Sequence, residues 1–105
     1  MHSDIEKRRQ ELIALCRRYD VTRLEVFGSA ARGHDFDPSR SDFDFLVEFK
    51  PESALRPLKR YLDLAEALEQ LMGRPVDLVE RSAVIASRNY IRRRNILADT
   101  KVVYG

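Results

Sequence analysis

Two aspartates separated by one residue, Asp42 and Asp44, are the side chains in this sequence best suited to chemistry. Residues two apart on a strand point to the same face, so these carboxylates would repel each other unless a cation or solvent compensates. Mg²⁺ takes oxygen ligands and usually keeps waters and substrate phosphates in its shell. The pair therefore suggests a magnesium site with positions open for a triphosphate, although acids spaced in this way also occur on ordinary exposed strands.

A third acid, Asp77, interrupts the short apolar segment 76–79. An acid in such a strand is costly unless it is paired, solvated or bound to a metal. If this strand lies beside the one that carries Asp42 and Asp44, two metal ions held there can clamp the attacking and leaving oxygens of an in-line displacement. Asp77 could then accept the proton of the attacking hydroxyl. The alternative is that Asp77 starts a turn or pairs with Arg74.

Gly28 and Ser29 lie between a predicted strand and a segment that favours a helical turn. Glycine lets the backbone approach a ligand closely, and the N–H groups at a helix start attract anions. Ser29 adds a hydroxyl donor, and Arg32 is close enough along the chain to reach a phosphate. Ser41 precedes the acid pair and could orient it. A surface salt bridge for Arg32 and a loop cap for Ser41 fit the sequence equally well.

The elements that must position these residues follow from the hydrophobic pattern. It predicts helices over about 4–19, 58–72 and 83–98, strands over 21–27, 41–49 and 76–79, and a last short strand or packed tail at 102–104. Gly73 stands where the left-handed residue after a helix belongs. This order of elements predicts an α/β (α+β) domain in which helices pack on a small sheet.

Composition and charge narrow the class of protein. The chain has 105 residues, 44% hydrophobic and 34% charged, which is typical of one globular domain and argues against disorder. The formal net charge of +2 is too small to indicate a nucleic-acid binder. Cys16 is the single cysteine, so no internal disulfide is possible. The first residues lack the apolar core of a signal peptide, and we expect a cytoplasmic protein.

In combination, the segment 28–33, the segment 41–44 and the later Asp77 resemble the signature of the nucleotidyltransferase superfamily related to DNA polymerase beta. The closest similarity is to its minimal branch, the MNT domains, and it extends over nearly the whole chain. The resemblance implies a small mixed sheet with helices packed on it. It also implies transfer of a nucleoside monophosphate from an NTP to a hydroxyl, with release of pyrophosphate.

The resemblance also implies roles for individual residues. Gly28 and Ser29 match the phosphate-binding turn, and Asp42 and Asp44 match the pair of metal ligands. Asp77 matches the third carboxylate, a metal ligand that activates the acceptor hydroxyl. MNT domains are often the antitoxin half of a two-gene module and are similar to AMP transferases that modify a tyrosine on a HEPN-domain toxin. ATP as the substrate, Mg²⁺ as the cofactor and a HEPN toxin as the partner are therefore expected.

Two other classes of function remain open from the sequence. The domain could neutralise a toxin by covering it, with a vestigial nucleotide site. It could instead bind nucleic acid through the basic cluster of the last helix, formed by Arg88, Arg92, Arg93 and Arg94. The near-neutral net charge disfavours nucleic acid. The wide apolar stripe of the 58–72 helix indicates a further surface for an oligomer or partner.

Overall fold

The computed structural model describes residues 3–28 and 43–105. The helices in this part of the chain are α1 (Ser3–Lys7), α2 (Arg9–Arg18), α3 (Pro57–Met72), α4 (Arg81–Ile85) and α5 (Tyr90–Ala98). Its strands are β1 (Val21–Phe27), β2 (Phe43–Phe49), β3 (Val76–Glu80) and β4 (Lys101–Tyr104). These strands form one sheet in the order β3-β2-β1-β4, in which β2 and β3 are parallel and the other pairs antiparallel. The predicted α/β domain with a small mixed sheet is confirmed.

One face of the sheet carries the main hydrophobic core. Phe43, Phe45 and Val47 alternate along β2 and are buried, as their spacing predicts. They pack with Leu24 and Val26 of β1 and with the buried residues of the first three helices, which are Ile5, Leu12, Cys16, Leu64, Leu68 and Met72. Each such side chain contributes about 1.5–3 kcal/mol by leaving water. This core fixes the strands that carry the site.

Helix α3 has clear start and stop signals. Pro57 occupies its first turn, where a missing N–H costs nothing. Gly73 ends the helix with a left-handed φ of 71°, and its N–H donates a hydrogen bond to the Glu69 carbonyl at 2.9 Å. The predicted helix over 58–72 is therefore confirmed to within one residue. No helix within the described ranges has both the length and the apolar character needed to cross a membrane.

The opposite face of the sheet carries a second, smaller hydrophobic cluster. Its buried members are Phe27, Leu46, Val84 and Ile96. Glu25 lies on the same face, only 1% exposed, where its carboxylate accepts a hydrogen bond from Arg81 at 2.9 Å and pairs with Arg23. Breaking a buried pair of this kind leaves an uncompensated charge. The pair therefore ties the start of α4 to β1.

The predicted continuous helix over 83–98 is wrong. Residues 86–89 separate α4 from α5. The Ser87 hydroxyl accepts the Asn89 N–H at 3.1 Å, and the Asn89 carboxamide oxygen accepts the Arg92 N–H at 3.0 Å. These side-chain bonds to the backbone compete with a continuous helix, and Asn89 starts a new one.

The first helix differs in detail from the prediction, and the last segment takes one of its two predicted forms. The predicted helix over 4–19 is interrupted by a turn at Arg8, which divides it into α1 and α2. Residues 101–104 form a strand, and it pairs antiparallel with β1. The tail therefore completes the sheet rather than packing loosely on it.

Burial should make Cys16 unreactive in the native protein. Removal of its thiol from water raises the pKa to about 12, and the thiolate is the reactive species. We expect native protein at pH 8 to react with Ellman's reagent roughly 100-fold more slowly than the same chain unfolded in guanidinium. A matched control moves the thiol to an exposed position on the same helix, in the Cys16→Ala, Ala14→Cys variant. Fast labelling of native wild type would contradict this packing.

Candidate functional site

Asp44 and Asp77 lie side by side on neighbouring strands. The parallel pairing of β2 with β3 places Asp44 opposite Asp77 in register, and the alternation of side chains puts both on the face that carries Leu46. Asp44 is half-buried and Asp77 is exposed. The two strands are thus neighbours, which was the condition for the carboxylates to meet.

Neither alternative environment for Asp77 is found among the described residues. Asp77 lies inside β3 rather than at a turn. Over the described ranges it forms no salt bridge, and the guanidinium of Arg74 lies over the Phe43 ring, 5.4 Å from its centroid. Like charges placed directly opposite each other destabilise a sheet. A cation bound between two such carboxylates would relieve this repulsion.

Gly28 approaches Asp44 from the side of β1, opposite to Asp77. It follows Phe27, the residue of β1 that pairs with Asp44. Its φ of +69° is one that glycine adopts freely, and a Cβ atom built here would lie 2.8 Å from the Asp44 Oδ2 atom. Glycine thus lets the backbone approach the carboxylate. Gly28, Asp44 and Asp77 form a row across three strands.

This row has a donor set that fits a divalent cation. Carboxylate oxygens are the ligands that Mg²⁺ prefers, and it retains several waters or phosphate oxygens besides them. Among residues 3–28 and 43–105 there is no cluster of three His, Cys, Asp or Glu side chains. The two carboxylates would form an open site, completed by solvent, substrate and any ligand from the rest of the chain.

Four of the predicted site residues, Ser29, Arg32, Ser41 and Asp42, lie outside the described residues. Their roles remain predictions. The three site residues that are described, Gly28, Asp44 and Asp77, are brought together from separate segments of the chain.

Tyr61 supports the strand that carries Asp77. Its hydroxyl, on α3, donates a hydrogen bond to the Leu78 carbonyl. Partial burial and the negative charges of Asp77 and Glu80 raise the pKa of Tyr61, so the phenol keeps its proton and remains a donor. Tyr61 lies on the helix for which the sequence predicts an apolar stripe. The hydrogen bond to β3 is an additional role that periodicity does not reveal.

A groove of about 590 Å³ opens beside Asp44. One wall consists of residues from β1 and β2 and the turn after β1, and the other consists of α5. The described residues that line the groove are Phe27, Gly28, Asp44, Asn89, Ile91, Arg92, Asn95 and Ile96. The sequence pattern marks Arg92 only as part of a basic cluster, and it gives no signal for Asn89 or Asn95. The groove therefore extends from Asp44 to α5.

Comparisons with known proteins find relatives over most of the chain. The profile of the nucleotidyltransferase domain matches residues 9–102. The protein adenylyltransferase MntA of Thermococcus cleftensis is 39% identical over 67 residues, which are 64% of this chain and 63% of that protein. The match spans less than two thirds of the length of the curated relatives.

Solved structures share the fold. One described as a candidate minimal nucleotidyltransferase superposes with a TM-score of 0.72 at 32% identity, covering 96% of this chain and 95% of that chain. A chain from the complex of a tri-AMPylated Shewanella oneidensis HEPN toxin with an MNT antitoxin gives a TM-score of 0.62 at 19% identity. That match covers 96% of this chain and 72% of the other.

The contact between Gly28 and Asp44 can be tested with a matched pair of glycines. Gly28 and Gly73 share a left-handed φ, but a Cβ at Gly73 would have no atom within 4 Å. Alanine at either position should lower the free energy of unfolding by about 1–2 kcal/mol, measured in urea. Only Gly28→Ala should displace the Asp44 carboxylate and weaken calorimetric binding of Mg²⁺-ATP. Equal binding by Gly28→Ala and Gly73→Ala would show that this contact does not matter.

Proposed function

Because the chain belongs to the nucleotidyltransferase domain family, we propose that it transfers AMP from ATP to a hydroxyl group in a Mg²⁺-dependent reaction. The observation that carries the proposal is the register of β2 and β3, which sets Asp44 beside Asp77. The close approach of Gly28 to Asp44 supports it, because a phosphate-binding turn must lie next to the metal ligands. Nucleotidyl transfer requires the carboxylates that hold the metal and the turn that binds the phosphates to lie side by side.

In this proposal each residue has a defined task. The backbone at Gly28 and the hydroxyl of Ser29 hold the phosphates against the carboxylates. Mg²⁺, when held by Asp42, Asp44 and Asp77, neutralises charge on the transferring group and on the departing pyrophosphate. Asp77, exposed at the sheet edge, accepts the proton of the attacking hydroxyl. The hydroxyl oxygen forms a bond to the α-phosphorus as the bond from that phosphorus to pyrophosphate breaks.

The acceptor in this proposal is a tyrosine of a HEPN-domain toxin, which the chain silences as an antitoxin. The relative in Thermococcus cleftensis is named a protein adenylyltransferase, and a protein of the same fold occurs with a tri-AMPylated HEPN toxin. The outer face of α3 supports a protein partner, because Leu58 and Leu62 are 71% and 54% exposed. They lie on the helix that packs beside β3, the strand that carries Asp77.

The same exposed leucines favour a second candidate, in which the chain neutralises its partner by binding alone. The two candidates differ in whether the carboxylates are needed. A non-catalytic antitoxin would still form the complex and still protect cells when Asp42 and Asp44 are both replaced.

Label transfer from α-labelled ATP with Mg²⁺, using the neighbouring gene's product as acceptor, tests the catalytic proposal. Asp44→Asn and Asp77→Asn should each lower the rate at least about 100-fold, because a neutral amide is a weaker Mg²⁺ ligand than a carboxylate and the positive charge that offsets the phosphates is lost. Asp42→Asn should behave in the same way. The control is Asp63→Asn, which removes only a surface pair with Lys59 at 3.2 Å on α3.

Full activity of Asp44→Asn or Asp77→Asn would refute the assignment of these metal ligands. Wild-type protein that protects cells without labelling any protein, and that still protects as the Asp42→Asn, Asp44→Asn double variant, would instead establish neutralisation by binding. Circular dichroism and thermal unfolding of every variant confirm that the fold is intact.

A further inference from the structure

Helix α5 forms one wall of the groove, and its side chains differ in chemical type from the carboxylates of Asp44 and Asp77. Ile91 and Asn95 are four residues apart, as are Arg92 and Ile96, so these four side chains share one side of the helix. Ile96 is buried against the sheet and anchors the helix, whereas Ile91 is 71% exposed. The wall thus adds an apolar side chain, an amide and a guanidinium to the groove that Asp44 also lines.

Arg92 differs from its neighbour Arg93 in its contacts. The Arg93 guanidinium donates to the Ile85 carbonyl at 3.2 Å and lies over the Tyr90 ring, so it holds α4 and α5 together. The side chains of Arg92 and Asn95, by contrast, make no hydrogen bond or salt bridge within the ranges that the structure describes. Both line the groove and are exposed, so their donors and acceptors are available to a ligand.

The side chains that line the groove offer contacts for each part of a nucleoside triphosphate. Phosphates belong at the end formed by Gly28 and Asp44, where a metal would lie. An arginine nearby offers planar, charge-assisted contacts to phosphate oxygens. The ring of a base needs an apolar contact. The edge of a base needs a hydrogen-bond donor next to an acceptor, and the Asn95 carboxamide supplies this pair. The volume of about 590 Å³ lies within the usual range for ligand sites.

We propose that this side of α5 binds the nucleoside half of the triphosphate, with Ile91 against the base, Asn95 on the base edge and Arg92 on the phosphates. The inference rests on the proposed function, because it takes the carboxylate row as the phosphate and metal end. It assigns the choice of base to α5, an element remote in sequence from the carboxylates.

Calorimetric titration of the full chain with Mg²⁺-ATP, and separately with Mg²⁺-tripolyphosphate, tests the assignment. Arg92→Ala should weaken the binding of both ligands about tenfold, because both contain phosphates. Asn95→Ala should weaken ATP about tenfold and leave tripolyphosphate unchanged, because only ATP has a base. Arg94→Ala is the matched control: it removes the same charge from the same helix outside the groove, and both affinities should stay within twofold of wild type.

Every other outcome would overturn the nucleoside site, the proposed reaction or both. Equal losses in Arg92→Ala and Arg94→Ala would show a general basic surface and overturn the inference. An equal loss of ATP and tripolyphosphate binding in Asn95→Ala would do the same. Failure of wild type to bind Mg²⁺-ATP would overturn both proposals. If the predicted binding pattern is found but no label is transferred, only the proposed reaction is refuted. If label is transferred but Arg92→Ala and Asn95→Ala bind ATP as wild type does, only the nucleoside site is refuted.

Discussion

The parallel pairing of β2 with β3 is the constraint around which the rest of the molecule is arranged. Two parallel strands cannot be joined by a tight turn. The chain must return over one face of the sheet, and α3 is part of this crossover connection between β2 and β3. The helix packs on the face that carries Phe43 and Phe45. The other face is thereby left for Asp44 and Asp77, whose mutual repulsion opposes the same pairing that positions them. The packing of the apolar face holds these two strands, and with them the two carboxylates, in register.

The two faces of the sheet therefore differ in how firmly they are packed. The face beneath α2 and α3 has a continuous apolar core. The face with the site has a small cluster, and α5 contributes one buried residue to it, Ile96. Elements with few buried apolar contacts open at low free energy. The pair of Glu25 with Arg81 anchors the start of α4, so α5 is the part of this face best able to adjust to a ligand.

Much of the fold could be predicted because its signals are local. Strand β1 and helix α3 follow from alternation and from an apolar stripe, and Gly73 marks the end of the helix. The separation of α4 from α5 depends on side-chain bonds of Ser87 and Asn89 to the backbone, which hydrophobic periodicity does not register. Likewise, the alternation of side chains along β1 cannot show that Glu25 is covered by a distant arginine, Arg81.

The candidate site was predictable in its residue types but not in its geometry. The acids stood out because they interrupt apolar strands, and Gly28 because it follows one. Register is decided by pairing between segments far apart in sequence, so the position of Asp44 opposite Asp77 could only be stated as a condition. Asn95 and Ile91 have ordinary types for a surface helix. Only the folded structure shows that these two residues line the same groove as Asp44.

The position of β4 has a consequence for how the sheet assembles as the chain is synthesised. Strand β1 is an inner strand, yet one of its two neighbours comes from residues 101–104, some eighty positions later. Until the ribosome releases that segment, β1 presents an unsatisfied row of backbone donors and acceptors, which is the kind of edge that recruits strands from other chains. Contacts this distant in sequence also slow folding, because a long loop must close before they form. A nascent chain of this protein is therefore most exposed to misassembly just before its last strand emerges.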